Sequence, residues 1–303
     1  MEPRTRWYTH GWNTDLSWRL ILGIIPRVPP FLRPPLHLIT TLICFAAMGR
    51  ERRAARRNLA RVTGRRGAPL FLLAFRLFHD FSKFMVAYVE VPPYGRGLPE
   101  RRVAGRDRAK EVIAKALAEE RGLIVLNMHL GQWDLALIDL AECGIPITVV
   151  MRREEEAATR WAAGARAAAG LQVIYAGESP WASVELLSRL RRNEIVALQG
   201  DRPYGGRNTL VDFFGEAVIV PMGPWDLARV SGAPVLPAAL IIEGHRRFRH
   251  VIGDLLRPGD EGAGAEGPEA GTRRLAAAME SLIRDHPTQW FNFYDVWGFG
   301  RAA

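Results

Sequence analysis

LIVLNMHLGQWDLALIDL, the stretch from Leu123 to Leu140, predicts a strand that turns directly into a helix. Its opening residues form a short, continuously apolar run, which is typical of a strand buried on both faces of a parallel sheet. The residues from Trp133 onward are numerous enough for a helix, which should end near Gly144 and Pro146. We therefore expect His129 at the carboxyl end of a strand, where open α/β sheets hold their chemistry.

A histidine and a carboxylate are the candidate reactive groups of this turn. Asp134 falls in the first turn of the predicted helix, close enough for its carboxylate to turn back onto one imidazole nitrogen of His129. Such a bond fixes the tautomer and raises the basicity of the other nitrogen, as a general base requires. A single histidine near a strand end is more often a satisfied structural residue, so the pair alone leaves both interpretations open.

The remainder of the chain predicts one α/β domain. From about residue 103, short apolar runs alternate with helical segments, which indicates a central, mostly parallel sheet flanked by helices. The predicted strands are 147–151, 171–175, 195–199, 235–242 and 248–252. The predicted helices are 110–119, 133–140, 154–169, 179–190 and 272–285.

The first 49 residues combine tryptophans, two apolar runs and a cluster of prolines. Neither run reaches the ~18 uninterrupted apolar residues of a spanning helix, and the cleavage site of a secretory signal is missing. This composition favours a membrane-associating helical segment over residues 1–49, followed by the α/β domain over residues 50–303. The alternatives are a helical hairpin that covers the soluble core and a single tilted span.

Charge narrows the choice of partners. The formal net charge is +9, and nearly all the basic residues are arginine. The run from Arg50 to Arg61 predicts a helix with a cationic face, which is placed for anionic headgroups at about 1 kcal/mol per residue near the surface. Such a run is also typical of a solvated surface. Because no nucleic-acid recognition pattern is present, a nucleic acid is not an expected partner.

Other catalytic classes lack their sequence motifs. There is no Gly-x-Ser-x-Gly elbow of a nucleophilic hydrolase. The seven histidines are scattered, and the two cysteines do not form a paired motif, so we expect neither a bound metal nor a disulfide framework. Gly205 and Gly206 lack the spacing of a phosphate-binding loop, and no other glycine loop suggests a nucleotide cofactor.

Asn127, His129, Gly131, Trp133 and Asp134 together resemble the H-x4-D/E box of the glycerolipid and lipid A acyltransferase superfamily. The continuation Trp-Asp-Leu-Ala is similar to lipid A lauroyl/myristoyl acyltransferases and mycobacterial phosphatidylinositol mannoside acyltransferases. Similar segments extend over nearly the whole chain, from about residue 18 to residue 290. They include residues 58–59, 201–202, 213–215, 220–224, 232–237 and 286–290.

The resemblance implies acyl transfer from a thioester of coenzyme A or acyl carrier protein, as co-substrate, to a lipid hydroxyl, with no resident cofactor. His129 would remove the hydroxyl proton, Asp134 would orient the imidazole, and Asp201 would join this relay or bind the acceptor. Backbone N–H groups around Gly131 would stabilise the tetrahedral oxyanion. The candidate substrate-binding residues are Gly131, Trp133, Arg152, Arg166 and Arg202.

The expected location is the cytoplasmic face of the bacterial inner membrane, with membrane lipids as partners and the protein as a monomer or weak oligomer. Lipid A enzymes usually have glutamate where this chain has Asp134, whereas glycerolipid and mycobacterial mannoside enzymes have aspartate, so the acceptor stays open. The alternative function is a non-catalytic lipid-binding or membrane scaffold protein with the same fold. The intact pair of His129 and Asp134 argues against that alternative.

Overall fold

The computed structural model describes residues 23–90, 102–141, 144–151, 163–164, 166–177, 181–203, 206–259 and 267–298. Within these ranges the strands are β1 (Arg102–Ala104), β2 (Leu123–Asn127), β3 (Ile147–Met151), β4 (Gln172–Tyr175), β5 (Ile195–Gln199), β6 (Asn208–Phe213), β7 (Glu216–Pro221), β8 (Val235–Gly244) and β9 (Arg247–Ile252). The helices are α1 (Arg33–Ala47), α2 (Gly49–Thr63), α3 (Gly67–Glu90), α4 (Arg106–Leu117), α5 (Trp133–Ala141), α6 (Ala182–Arg191), α7 (Gly223–Ser231) and α8 (Pro268–Asp285).

Seven of these strands form one sheet in the order β1-β9-β8-β2-β5-β3-β4. Every neighbouring pair is parallel except β8 with β9. The predicted α/β fold with a mostly parallel sheet is therefore confirmed. Strands β8, β2, β5, β3 and β4 run in one direction, so their carboxyl ends meet at the same edge.

Strand β2 lies in the middle of the sheet because its side chains are apolar on both faces. All five of its residues are buried. Leu123 and Val125 face one hydrophobic core, which also holds α3 and α5 residues, while Ile124 and Leu126 face a second core with α7 and α8. Burial of each such side chain stabilises the fold by roughly 1.5–3 kcal/mol. This burial fixes the strand that leads to His129.

Two predicted helices begin earlier than the sequence suggested. Helix α4 begins at Arg106, directly after Gly105, whose φ of +75° ends the preceding strand. Helix α8 begins at Pro268, and proline suits the first turn because it has no N–H to lose. Of the helix predicted over 154–169, residues 163–164 and 166–168 are helical, while 152–162 and 165 lie outside the described residues.

The sequence prediction missed three strands. Strands β6 and β7 form an antiparallel hairpin, whose turn holds Phe214 and Gly215 at φ of +54° and +80°. The Phe-Phe-Gly sequence had indicated this turn without the flanking strands. Strand β1 is three residues long and adds to the edge of the sheet beside β9. An element this short has too few residues for a period-2 pattern.

Helix α1 contacts α3 through the buried Phe45 and through two polar side chains, and it leaves other apolar side chains exposed. His37 Nδ1 lies 3.2 Å from Ser82 Oγ, and Thr41 Oγ1 lies 3.2 Å from His79 Nδ1. The apolar side chains that α1 leaves exposed are Leu38, Ile39, Leu42 and Ile43. No helix of the described residues is long and apolar enough to cross a bilayer. Residues 1–22, the first part of the predicted membrane-associating segment, lie outside them.

Candidate active site

The register of β2 and β5 brings His129 and Asp201 together. Asn127 pairs with Gln199 at the ends of the two parallel strands, and Gly200 N–H donates to the Asn127 carbonyl at 3.1 Å. His129 and Asp201 each follow two residues later. His129 Nδ1 lies 2.8 Å from Asp201 Oδ1, and both side chains are buried. The parallel register thus places a base and a carboxylate at the sheet edge where chemistry is expected.

The charge state of Asp201 determines the tautomer of His129. Burial alone would raise the pKa of Asp201, but the two hydrogen bonds from His129, with the cation of Arg202, hold it well below its ordinary value. An ionised carboxylate only accepts hydrogen bonds, so Nδ1 of His129 carries the proton and donates it to Asp201. The lone pair is then on Nε2. No described residue bonds Nε2, and the His129 side chain is 8% exposed.

His129 is neutral at neutral pH. Burial is the largest cause that lowers the pKa of the imidazole below 6.5, and the cation of Arg202 adds to it. The charges of Asp201 and Asp134 oppose this shift without reversing it. A neutral imidazole beside an ionised carboxylate is the state that a general base needs before it accepts a proton.

The second oxygen of Asp201 is held by three N–H donors. Asp201 Oδ2 accepts from the His129 backbone N–H at 3.0 Å, from Trp290 Nε1 at 3.0 Å and from Asn292 Nδ2 at 3.2 Å. Trp290 and Asn292 come from the segment that follows α8 and carry no charge. Sequence reasoning assigned them no role, although residues 286–290 had been noted as similar to the acyltransferase family.

The prediction that Asp134 binds the His129 imidazole is wrong. Both oxygens of Asp134 accept from Arg166, from Nε and Nη2 at 2.8 Å each. A buried guanidinium requires a carboxylate, and its planar fork matches both oxygens at once. Since Nδ1 of His129 is already bonded to Asp201, Asp134 acts on the imidazole through its charge and not through a bond.

The role of Gly131 in the structure differs from the predicted stabilisation of an oxyanion. Its N–H donates to the Gln289 carbonyl at 3.0 Å, and the next N–H, of Gln132, donates to the Leu240 carbonyl at 2.7 Å. Neither N–H is therefore available for an oxyanion. Gly131 has a φ of +61°, and a Cβ there would lie 2.1 Å from the Leu240 carbonyl oxygen. The glycine lets the turn lie directly against β8.

The other predicted residues have distinct surroundings. Trp133 lies beside the site, with its ring centroid 5.1 Å from that of His129 and 4.6 Å from that of Phe84. Arg202 binds the protein itself, donating from Nε to Asn292 Oδ1 at 2.8 Å and from Nη2 to a backbone carbonyl at 3.1 Å. Arg152 lies outside the described residues. Within the described part of the chain, no group of three or more His, Cys, Asp or Glu residues could hold a metal ion.

Comparison with known proteins identifies the family. Residues 8–298 match the family described as bacterial lipid A biosynthesis acyltransferase. The phosphatidylinositol mannoside acyltransferase of Mycobacterium tuberculosis (strain ATCC 25618 / H37Rv) is 30% identical over 253 residues, which is 80% of this chain and 76% of that protein. The protein of that description from Mycolicibacterium smegmatis is 30% identical over 247 residues, 80% of this chain and 78% of its own. The chain with this histidine and carboxylate at its sheet edge therefore belongs to the family of bacterial lipid A biosynthesis acyltransferases.

Proposed function

We propose that this acyltransferase moves a fatty acyl chain from a thioester of coenzyme A or acyl carrier protein to a hydroxyl of a membrane glycolipid, with His129 as general base. The observation that carries the proposal is the asymmetry of the imidazole. Nδ1 is bonded to a buried, ionised Asp201, whereas Nε2 has no partner among the described residues. A non-catalytic lipid-binding protein has no need for an oriented base.

In the proposed reaction, Nε2 of His129 accepts the proton of the acceptor hydroxyl while its oxygen forms a bond to the thioester carbonyl carbon. The carbonyl π electrons move to oxygen, which becomes the tetrahedral oxyanion. When the intermediate collapses, the C–S bond breaks and the thiolate takes the proton from the His129 imidazolium. The products are an ester and a free thiol. General-base catalysis of this kind contributes ~10²–10⁴-fold to the rate.

The oxyanion requires donors other than the N–H groups of Gly131 and Gln132. The first backbone N–H groups of α5, from Trp133 to Leu135, have no acceptor within the helix. They point out of the helix N-terminus, where the macrodipole also favours negative charge. This end of α5 lies four residues past His129. We assign oxyanion stabilisation to these groups.

Arg166 and Asp134 together form the proposed polar subsite. Arg166 Nη1 is buried and has no hydrogen-bond partner among the described residues, while its other donors hold Asp134. An open guanidinium donor next to the reactive turn suits a carbonyl, hydroxyl or anionic group of a substrate. Arg152 stays a proposed contact to an anionic substrate group, and Arg202 is proposed to support the site through its charge and its hold on Asn292.

The proposed acceptor is a glycolipid. The two mycobacterial relatives are named for action on phosphatidylinositol mannosides, and Asp134 is the residue type that mannoside enzymes have at this position. We therefore propose a sugar hydroxyl of an inner-membrane glycolipid as the attacking group. The donor is proposed to be acyl-coenzyme A or acyl-acyl carrier protein.

Membrane association is proposed from two adjacent helices. Helix α1 exposes about half of the surface of Ile39, Leu42 and Ile43. The next helix, α2, exposes Arg50, Arg53 and Arg56. Apolar residues that enter the headgroup region, beside arginines that meet anionic lipids, fit the cytoplasmic face of the inner membrane. Residues 1–49 are accordingly proposed to be the membrane-associating segment, and residues 50–303 the acyltransferase domain.

The test is an intact-mass assay of lipid products with purified wild-type protein, H129A and the control H245A in detergent. His245 is an exposed histidine on the turn between β8 and β9. Palmitoyl-coenzyme A and palmitoyl-acyl carrier protein are the donors, and purified phosphatidylinositol mannosides and a total lipid extract are the acceptors. The expected result is an acylated product with the wild type and H245A that is lost with H129A.

Two outcomes would contradict the proposal. Full activity in H129A would show that the base is another group. Absence of product with both donors, while lipid still co-purifies with wild type and H129A alike, would favour the non-catalytic lipid-binding protein.

A further inference from the structure

The segment 289–292, which follows α8, lies directly along the turn that carries His129. The Phe291 N–H donates to the His129 carbonyl at 2.8 Å, and the Gly131 N–H donates to the Gln289 carbonyl at 3.0 Å. Leu130 and Trp290 form an antiparallel bridge between these two bonds. The His129 turn is therefore fixed on one side by β8 and on the other by residues more than 150 positions later in the chain.

Two side chains of this segment reach past the backbone to Asp201. Trp290 is 2% exposed and Asn292 is 1% exposed, and both donate to Oδ2, the oxygen that does not face the imidazole. Together with the His129 backbone N–H, they give this oxygen three donors. Oδ1 is thereby left pointing at Nδ1 of His129. Oδ1 of Asp201 thus binds the imidazole, whereas Oδ2 holds the carboxylate in place.

Arg202 determines which end of the Asn292 amide faces Asp201. Its Nε donates to Asn292 Oδ1 at 2.8 Å. A guanidinium has no acceptor, so the oxygen of the amide must face Arg202 and the NH₂ group must face the carboxylate. The hydrogen-bond network therefore has one consistent direction, from Arg202 through Asn292 to Asp201.

The donors that hold Asp201 also affect how strongly it attracts the imidazole proton. Hydrogen bonds from neutral N–H groups stabilise the carboxylate as an anion without neutralising it. They also withdraw negative charge from the oxygen that faces His129. Loss of one such donor leaves more charge on Asp201, which favours the protonated imidazole and so removes the free base.

We propose that Trp290 and Asn292 are positioning residues for the reaction, because they orient Asp201 so that it presents one oxygen to His129 and keeps Nε2 free to accept a proton. The kinetic part of this inference rests on the proposed function. The structural part concerns only the network around His129 and is tested separately.

Trp297 provides a matched control for Trp290. It is 3% exposed, its ring centroid lies 6.1 Å from that of Trp290, and its Nε1 donates to the Phe213 carbonyl at 3.1 Å. W290F and W297F therefore remove one indole N–H and a similar volume from the same aromatic cluster. Only W290F removes a donor to Asp201. A difference between the two variants cannot come from lost packing alone.

N292D is the second variant, for use also if W290F folds poorly. It keeps an oxygen for Arg202 to bind and replaces the amide donor by an oxygen that faces Asp201. The volume of the side chain is unchanged, so packing around residues 290–292 is retained. A like charge beside Asp201 should raise the affinity of this site for a proton.

The first measurement is an NMR titration of His129 in histidine-labelled wild type, W290F, W297F and N292D, in detergent without substrate. We expect the His129 midpoint to rise by about one pH unit in W290F and N292D and to stay unchanged in W297F. Unchanged His129 titrations in both W290F and N292D would overturn the inference. This measurement requires no turnover.

The second measurement is steady-state acylation with palmitoyl-coenzyme A and phosphatidylinositol mannosides. We expect W290F and N292D to lose about tenfold in kcat with KM within about twofold, and the acid limb of the profile to move to higher pH. W297F should behave as the wild type. A shifted titration in a protein without any turnover would contradict the proposed function alone. Activity lost in H129A but unchanged in W290F and N292D would contradict the positioning role alone.

Discussion

Two buried histidine–aspartate pairs lie in the described part of the chain, and they differ in what surrounds the carboxylate. His129 and Asp201 meet at 2.8 Å, and His250 and Asp139 meet at 3.0 Å. Asp201 is held by the uncharged donors of Trp290 and Asn292 as well as by backbone. Asp139 instead receives both arms of a guanidinium, from Arg106 at 3.0 and 2.6 Å.

The pair of His250 and Asp139 joins parts of the fold and does not lie with His129 at the carboxyl ends of the parallel strands. Arg106 begins α4, Asp139 lies in α5 and His250 lies in β9, so the cluster joins three elements. Burial would raise the pKa of Asp139, but the bonds of His250 and Arg106 hold it well below its ordinary value. A close histidine–aspartate contact therefore does not identify a base. Its place at the strand ends and the charge of the other donors distinguish the two roles.

Replacing His129 and His250 in turn is the strongest test of whether the two pairs have different roles. H129A should lower kcat by ~10²–10⁴-fold, because the proposed general base is lost, and should also lower thermal stability, because the buried Asp201 loses a hydrogen-bond donor. H250A should lower the melting temperature and leave the kcat of the folded fraction nearly unchanged. Thermal unfolding and acylation assays on the same preparations measure both. Equal losses of kcat in the two variants would show that the pairs do not have different roles.

The isosteric change D201N tests whether Asp201 determines the tautomer of His129. An amide can donate to Nδ1 and so stabilise the wrong protonation state, which should lower kcat by about 10²–10⁴-fold, in line with the effect of such a change in other histidine–aspartate pairs. The side chain keeps its volume and its acceptor oxygen for Trp290. The midpoint of urea unfolding is the control. A D201N protein with near-normal kcat would indicate that Asp201 does not set the tautomer.

D139N should affect stability and not chemistry. Removal of this carboxylate charge weakens the two hydrogen bonds that Arg106 donates to residue 139. Since the Arg106 side chain is 35% exposed, water compensates part of the loss, and we expect a decrease of about 2 kcal/mol in the free energy of unfolding. Asp139 has a lowered pKa in the fold, so its contribution is present at neutral pH and lost as pH falls into the acid range. D139N should therefore lose stability at pH 7 but little at pH 3, as measured by urea unfolding.

His37 sharpens the comparison, because its imidazole bonds the Ser82 hydroxyl and not a carboxylate. Burial, followed by the charges of His79, Lys83, His245 and Arg33, lowers its pKa from 6.5 to about 4. A lowered histidine pKa means that the unfolded chain binds the proton more tightly. Its stabilising contribution is complete above pH 6.5 and is lost as pH falls toward 4.

The expected loss between pH 7.5 and pH 5 is about 1 kcal/mol, reduced by the partial exposure of the side chain. The H37Q variant should show a smaller change over this interval. Urea unfolding at the two pH values is the measurement, and equal pH dependence in H37Q and the wild type would contradict this account. His79 faces the same interface between α1 and α3, along with Asp80 and Arg76 of its own helix, so H37Q should not abolish the dependence completely.

The fold could be predicted from the sequence because its strands are short, apolar and separated by helical segments. The β2 strand, the His129 turn and the following helix were predicted near their observed limits, as were the strands that flank them. Asp201 was expected to join the relay with His129 or to bind the acceptor. Parallel register then places each of them two residues beyond a paired strand end, which the sequence alone could not show.

The partner of His129 was predicted incorrectly because distance along the chain is a poor guide to distance at a sheet edge. Asp134 is five residues from His129, yet its carboxylate binds Arg166, which comes 32 residues later. Trp290 and Asn292 gave no chemical signal, because an uncharged indole or amide outside a motif does not indicate a catalytic role. Their role depends on long-range contacts, which pattern reasoning on one sequence cannot supply.

The hold of Trp290 and Asn292 on Asp201 has a consequence for the order of synthesis. His129 leaves the ribosome about 160 residues before Trp290, which corresponds to a delay on the order of ten seconds at usual elongation rates. Until then Oδ2 of Asp201 has only the backbone N–H of His129 as a donor. We expect the nascent chain to complete its sheet before Asp201 gains its two side-chain donors, so that an unfinished chain does not yet hold His129 in the proposed reactive state.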